Sequence, residues 1–130
     1  MRAGLPFAVA AALGLLAMPA LSEGRYIFDV VKQPPFGAAW NRLVEPLKKS
    51  QPWMIDARGV AGPSVTINVD GQSFEVFSLC KPHDCADNQM QVLFSDGGQK
   101  AHGAFRTRDG VRMLGPVSTT QGKALLQAFD

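Results

Sequence analysis

The chain has 130 residues and a mass of 14.0 kDa; 46% of its residues are hydrophobic and 18% charged, with 13 basic against 11 acidic side chains and 2 cysteines. A polymer of this length buries one core and is too short for two, and the ordinary apolar fraction excludes disordered and collagen-like chains. A net charge of +2 with scattered basic residues excludes the clustered basic stripe of a nucleic-acid-binding surface.

Met1 and Arg2 form a short positive start, Ala3 to Met18 is an almost unbroken apolar run, and Ala20-Leu21-Ser22 offers small residues where a signal peptidase reads. Residues 1–22 are therefore expected to be a secretory signal peptide. A membrane anchor is the competing reading, but the apolar stretch between Pro6 and Pro19 is shorter than the roughly 20 residues a spanning helix needs. Cleavage after Ser22 leaves a single domain, residues 23–130, close to neutral and with no stable membrane insertion.

Within that domain, Pro34 and Pro35 impose extended backbone, after which Phe36, Trp40, Leu43, Val44 and Leu47 recur at the spacing of one helical face. The pattern predicts a helix from about Gly37 to Lys49, ended near Glu45 or kinked by Pro46. A short strand is expected around Trp53 to Ala57. Val65, Ile67 and Val69 then alternate with polar residues, Asp70-Gly71 supplies a tight turn, and Phe74, Val76, Phe77 and Leu79 complete a β-hairpin. Further strands fit Gln89 to Ser95, Lys100 to Thr107 and Val111 to Leu114, separated by turns at Asp96-Gly97-Gly98 and Asp109-Gly110. Ser118 and Gln121 make a capping box, and Gly122, Leu125, Leu126 and Phe129 fall on one face of a final helix. Gly122 on that stripe is either a close approach to the sheet or a tolerated defect. Consecutive strands joined by short turns predict an α+β domain: about five antiparallel strands flanked by amphipathic helices, with Trp40, Trp53 and the phenylalanines as core.

The chemistry concentrates in Cys80-Lys81-Pro82-His83-Asp84-Cys85. These are the only two cysteines, and export would carry them to an oxidising compartment, so a Cys80–Cys85 disulfide closing a small protruding loop is expected. Metal binding by Cys80, His83 and Cys85 is a weaker reading, because a structural zinc site takes four ligands and closer cysteine spacing; His102 would have to fold beside the loop to complete it. Redox catalysis calls for C-x-x-C at a helix start, and nucleophilic catalysis for a free thiolate, so no cofactor, metal or enzymatic activity is expected. Pro82 fixes its own φ and restricts Lys81, so the loop presents His83 with little entropy left to lose on binding. A stapled turn that only tidies a strand end is the plainer alternative. Between Lys81 and Asp84, a histidine whose two ring nitrogens can both donate would fit a cleft lined by carboxylates.

The run CKPHDC, after a leader and the strand Gly71-Gln72-Ser73-Phe74-Glu75-Val76, resembles the signature of the Ivy family, inhibitors of vertebrate lysozyme in Gram-negative bacteria. The resemblance extends to the Trp40 helix, the Trp53 segment, the strand ending in Phe94-Ser95 and Leu114-Gly115-Pro116. It implies a periplasmic protein whose disulfide-closed loop enters the active site of a C-type lysozyme and sets its histidine against the two catalytic carboxylates. Carried over, His83 is the plug, Cys80 and Cys85 the clamp, and Pro82 with Asp84 the frame, beside Lys81. A module acting on endogenous lytic transglycosylases or on peptidoglycan turnover is the alternative.

Overall fold

The structure, a computed structural model, describes residues 24–130; the expected signal peptide lies outside the described residues. Two short helices, α1 (Ile27–Val30) and α2 (Phe36–Val44), precede a 3-10 segment at Pro52–Ala57. Five strands follow, β1 (Val60–Val69), β2 (Gln72–Cys80), β3 (Asn88–Ser95), β4 (Lys100–Thr107) and β5 (Gly110–Leu114), and α3 (Thr119–Gln127) ends the fold. The strands form one antiparallel sheet in the order β1-β2-β3-β4-β5, each paired with its chain neighbour, as short turns dictate. Among the described residues no helix is long and apolar enough to cross a membrane.

Helices cover both faces of the sheet. Successive strand side chains point to opposite sides, so in β2 Phe77 and Leu79 join Trp40, Leu43, Met54, Met90, Val92 and Phe105 in one cluster, whereas Phe74 and Val76 join Leu93, Ala104, Ala124 and Leu125 in the other. Burial on both faces explains why the middles of β3 and β4 are continuously buried instead of alternating. Trp40 is fully buried and donates its indole N–H to the Met54 carbonyl at 2.8 Å, which ties α2 to the 3-10 segment and satisfies the one polar atom of the ring.

The helix stops at Val44 with Glu45 as its C-cap, the first of the two outcomes Pro46 allowed, and the chain continues only as turns to Ser50. Two sequence expectations need correction. The strand expected at Trp53–Ala57 is a pair of 3-10 turns with Pro52 at its start. Asp56 and Ala57 have φ of 53° and 52°, which a strand cannot accommodate, and Trp53, Met54 and Ala57 are buried at helical rather than alternating spacing. In α3 the capping box forms as expected, with Ser118 Oγ accepting from the Gln121 N–H at 3.1 Å and Gln121 Oε1 accepting from the Ser118 N–H at 2.9 Å. Leu126, however, is 45% exposed, because Ala124 and Leu125 make the seam. A Cβ on Gly122 would meet only Val117 at 3.6 Å and Met113 at 3.8 Å, ordinary contacts, so no close approach requires this glycine.

Candidate functional site

β2 delivers Cys80 to the end of the sheet, where it lies opposite Val60 on one side and Gln89 on the other. Cys80 and Cys85 form the disulfide, their Cα atoms 4.9 Å apart, within the range a bridge spans without moving the backbone. The Lys81 N–H donates to the Asn88 carbonyl at 3.0 Å and closes the neck of the loop, and the Asp84 N–H donates to the Lys81 carbonyl at 3.0 Å. The second bond makes Lys81–Asp84 a four-residue turn. Pro82 supplies its fixed φ at the second position and His83 stands at the third with φ 67°, the arrangement of a type II turn. Glycine or asparagine is the usual occupant of that corner, because a side chain there meets its own backbone.

The side chains divide into those tied back and those presented. Asp84 Oδ2 accepts from Asn88 Nδ2 at 2.9 Å, and Asp87 Oδ2 accepts from Arg108 Nε at 2.9 Å. The hydrogen bond it donates to Asp87, and then the negative charges of Asp87 and Asp84, hold the Arg108 guanidinium above its already high ordinary pKa. Both carboxylates are thus engaged. Lys81, Pro82 and His83 are exposed, and among the described residues the imidazole has no hydrogen-bond partner. The turn that demands a small residue carries the ring outward, both nitrogens open to a partner.

The loop has a firm base. A Cβ on Gly59 would collide with the Cys80 carbonyl and come within 3.1 Å of Leu79 Cδ1 and 3.0 Å of Trp53 Cε3, so a glycine is needed for β1 to start this close to β2. Register brings two further turns to the same end: Val60 opposite Cys80 places Arg58-Gly59 there, and Asn88 opposite Thr107 places the Thr107–Gly110 turn there. Arg108 and Asn88 were not singled out in the sequence, and no local signal marks them. Arg108 reaches Asp87, 21 residues earlier in the chain, through the pairing of β3 with β4, whereas Asn88 reaches back only four residues to Asp84.

His102 sits elsewhere. It pairs with Leu93 in the half of β4 remote from the loop and is buried. Its Nδ1 donates to the Pro116 carbonyl at 2.5 Å, and Nε2 meets the Ser95 hydroxyl at 2.7 Å. Both nitrogens serve the fold, and the condition for a four-ligand site at the loop is not met; no group of three or more potential metal ligands is found among the described residues.

A second polar cluster binds the N-terminal segment to the sheet. Arg25 donates to Glu75 through Nη2 at 2.5 Å and Nε at 3.2 Å, and Ser64 Oγ donates to the same carboxylate at 2.7 Å. The Arg25 hydrogen bond, opposed by burial and helped by Ser64, holds the Glu75 carboxyl below its ordinary pKa.

The family model described as Inhibitor of vertebrate lysozyme (Ivy) matches residues 35–128. An uncharacterized protein of Yersinia pestis is 33% identical over 91 residues, 70% of this chain and 59% of that protein. The Inhibitor of vertebrate lysozyme of Pseudomonas aeruginosa is 31% identical over 77 residues, 59% of this chain and 50% of its own length. The protein of that name in Escherichia coli K12 is 28% identical over 99 residues, 76% of this chain and 62% of its own length. The matched region thus spans between half and just over three-fifths of these relatives.

Proposed function

The chain belongs to the Ivy family, and from that membership we propose that it is an exported, periplasmic inhibitor of a C-type lysozyme. The Cys80–Cys85 loop enters the active-site cleft and His83 lies between the two catalytic carboxylates. One observation carries the reading: an exposed imidazole with no hydrogen-bond partner among the described residues, held at the left-handed corner of a turn inside a covalent ring.

Retaining glycosidases hold their two carboxyl groups about 5 to 5.5 Å apart. An imidazole fits between them, and with both nitrogens protonated it donates one charge-assisted hydrogen bond to each while it occludes the sugar site. No covalent bond forms, so inhibition is competitive and reversible. Asp84 and Asp87 would repel those carboxylates if they faced the cleft. Asn88 engages the Asp84 carboxylate and the Arg108 cation offsets the charge of Asp87, leaving Lys81 as the charged neighbour of the imidazole on the exposed side. Pro82 and the disulfide keep the conformational cost of binding small.

A standard inhibitor interface covers about 800 Å² per partner, more than six residues supply. The Arg58-Gly59 and Thr107–Gly110 turns, at the same end of the sheet, form the rim in this reading. Export is the role of residues 1–22, and the domain that remains is an inhibitor, not an enzyme. A turbidity assay with lysozyme and bacterial cell walls tests the scheme: wild-type protein slows clearing, and His83→Ala loses at least about 30-fold in potency, the scale of a central interface residue. Equal inhibition by the two proteins would rule the mechanism out.

A further inference from the structure

The two edges of the sheet are treated differently. Along β1 the Ser64 N–H donates to the Arg25 carbonyl at 2.7 Å and the Arg25 N–H donates to Ser64 Oγ at 3.0 Å, so the segment before α1 lies against that edge. β5 pairs only with β4, and among the described residues no other backbone group bonds to it. Gly110 through Met113 are all exposed, including Val111 at 42% and Met113 at 39%. Open strand edges of this kind are templates for another chain.

A cavity of about 550 Å³ adjoins this edge, between α2 and the β4–β5 pair. Leu43, Met113 and Pro116 supply apolar surface, Arg42, Lys100 and Arg112 stand around it, and no aspartate or glutamate lines it. Lys100 is paired with Asp96 at 3.2 Å. Arg42 donates one Nη2 bond to the Gln99 carbonyl at 2.7 Å, which positions the guanidinium and leaves its other donors free. Arg112 has no ion-pair or hydrogen-bond partner among the described residues.

We propose that β5 and this groove capture an extended acidic peptide segment of a partner protein: the main chain adds to β5 as a sixth strand, and a carboxylate side chain is held between Arg42 and Arg112. Main-chain hydrogen bonds to an open edge give such a complex its affinity, and pockets for alternate side chains give it selectivity. Guanidinium groups flanking an apolar trough select a chain in which acidic and apolar residues alternate. A second copy of this chain is a poor occupant, because antiparallel β5–β5 pairing about the strand centre would set Arg112 opposite Arg112, and like charges directly opposed are destabilising. The site is separate from His83 and stands whether or not the loop reading does.

Fluorescence-anisotropy titration of the full chain with a dye-labelled, capped hexapeptide alternating valine and glutamate tests the proposal, with the lysine-for-glutamate peptide as comparison. The glutamate peptide alone binds, Arg112→Gln weakens it about tenfold, Arg112→Lys retains most of the affinity, and amide resonances of residues 110–114 shift on binding. Binding of both peptides or of neither, undiminished affinity in Arg112→Gln, or shifts confined to other strands would overturn it. So would concentration-dependent amide protection of residues 110–114 in the free chain, which would assign the edge to a second copy.

Discussion

His83 pays a local cost that glycine would not: an L-residue in the left-handed region gives up about 1 to 2 kcal/mol, and among the described residues no hydrogen bond of its side chain compensates it. The His83→Gly variant should therefore unfold at higher urea, by about 1 kcal/mol in free energy, while it loses inhibition. A variant less stable than wild type would show that the ring packs on its own domain. At Glu75 the sign is set by the lowered carboxyl pKa. The folded chain releases this proton more readily than the unfolded chain, so the stabilisation is complete above the ordinary value of 4.5 and is lost as pH falls through the lower folded value. Thermal unfolding of wild type and Glu75→Gln should show a Tm gap at neutral pH that closes below about pH 4.5; a gap constant with pH would contradict this. The sequence singled out the turn at His83 through its neighbours, because cysteines and proline leave a readable local pattern. It did not reveal Glu75 with Arg25 and Ser64, which stand 50 and 11 residues from it and meet it only through the fold.

Among the elements, the strands were the most legible part. The Asp70-Gly71 and Asp109-Gly110 turns carry the positive φ their residues allow, and the hairpins follow. The Trp53–Ala57 segment was misread because apolar residues in a short run serve a buried turn as well as a strand. α1 escaped notice because four residues hold too little periodicity. In α3, Gly122 has room for a methyl group, so Gly122→Ala should raise stability by about 0.5 to 1 kcal/mol in chemical denaturation. A loss would reveal a packing constraint that the ordinary contact distances do not show. For the loop, the staple closes only six residues, worth about 2 kcal/mol in the chain-entropy model. Replacing Cys80 and Cys85 together by serine should cost about that much stability and weaken lysozyme binding by at least tenfold, measured by urea unfolding and by titration at a temperature where the variant stays folded. Unchanged binding would make the bridge purely a stabiliser of the fold.

At the scale of the molecule, helices bury both faces of the sheet and leave its ends to carry loops, so the Cys80–Cys85 ring and the two turns beside it gather at one end of the scaffold. In the proposed scheme, removal of residues 1–22 takes away Arg2 and leaves the domain nearly neutral, so net charge would offer no long-range attraction to a basic lysozyme and recognition would be local. The loop and the fold class were legible because disulfide chemistry and strand alternation are local. The grouping of the Arg58-Gly59 and Thr107–Gly110 turns beside the loop was not, because register between strands assembles it. Calorimetric titration of the chain into a hen-type lysozyme, with the enzyme free and with its active site filled by an N-acetylglucosamine trisaccharide, bears most directly on the central claim. Saturating trisaccharide should abolish binding, and His83→Ala should weaken binding to the free enzyme about 30-fold or more; an affinity indifferent to both would place the contact outside the cleft and contradict the account.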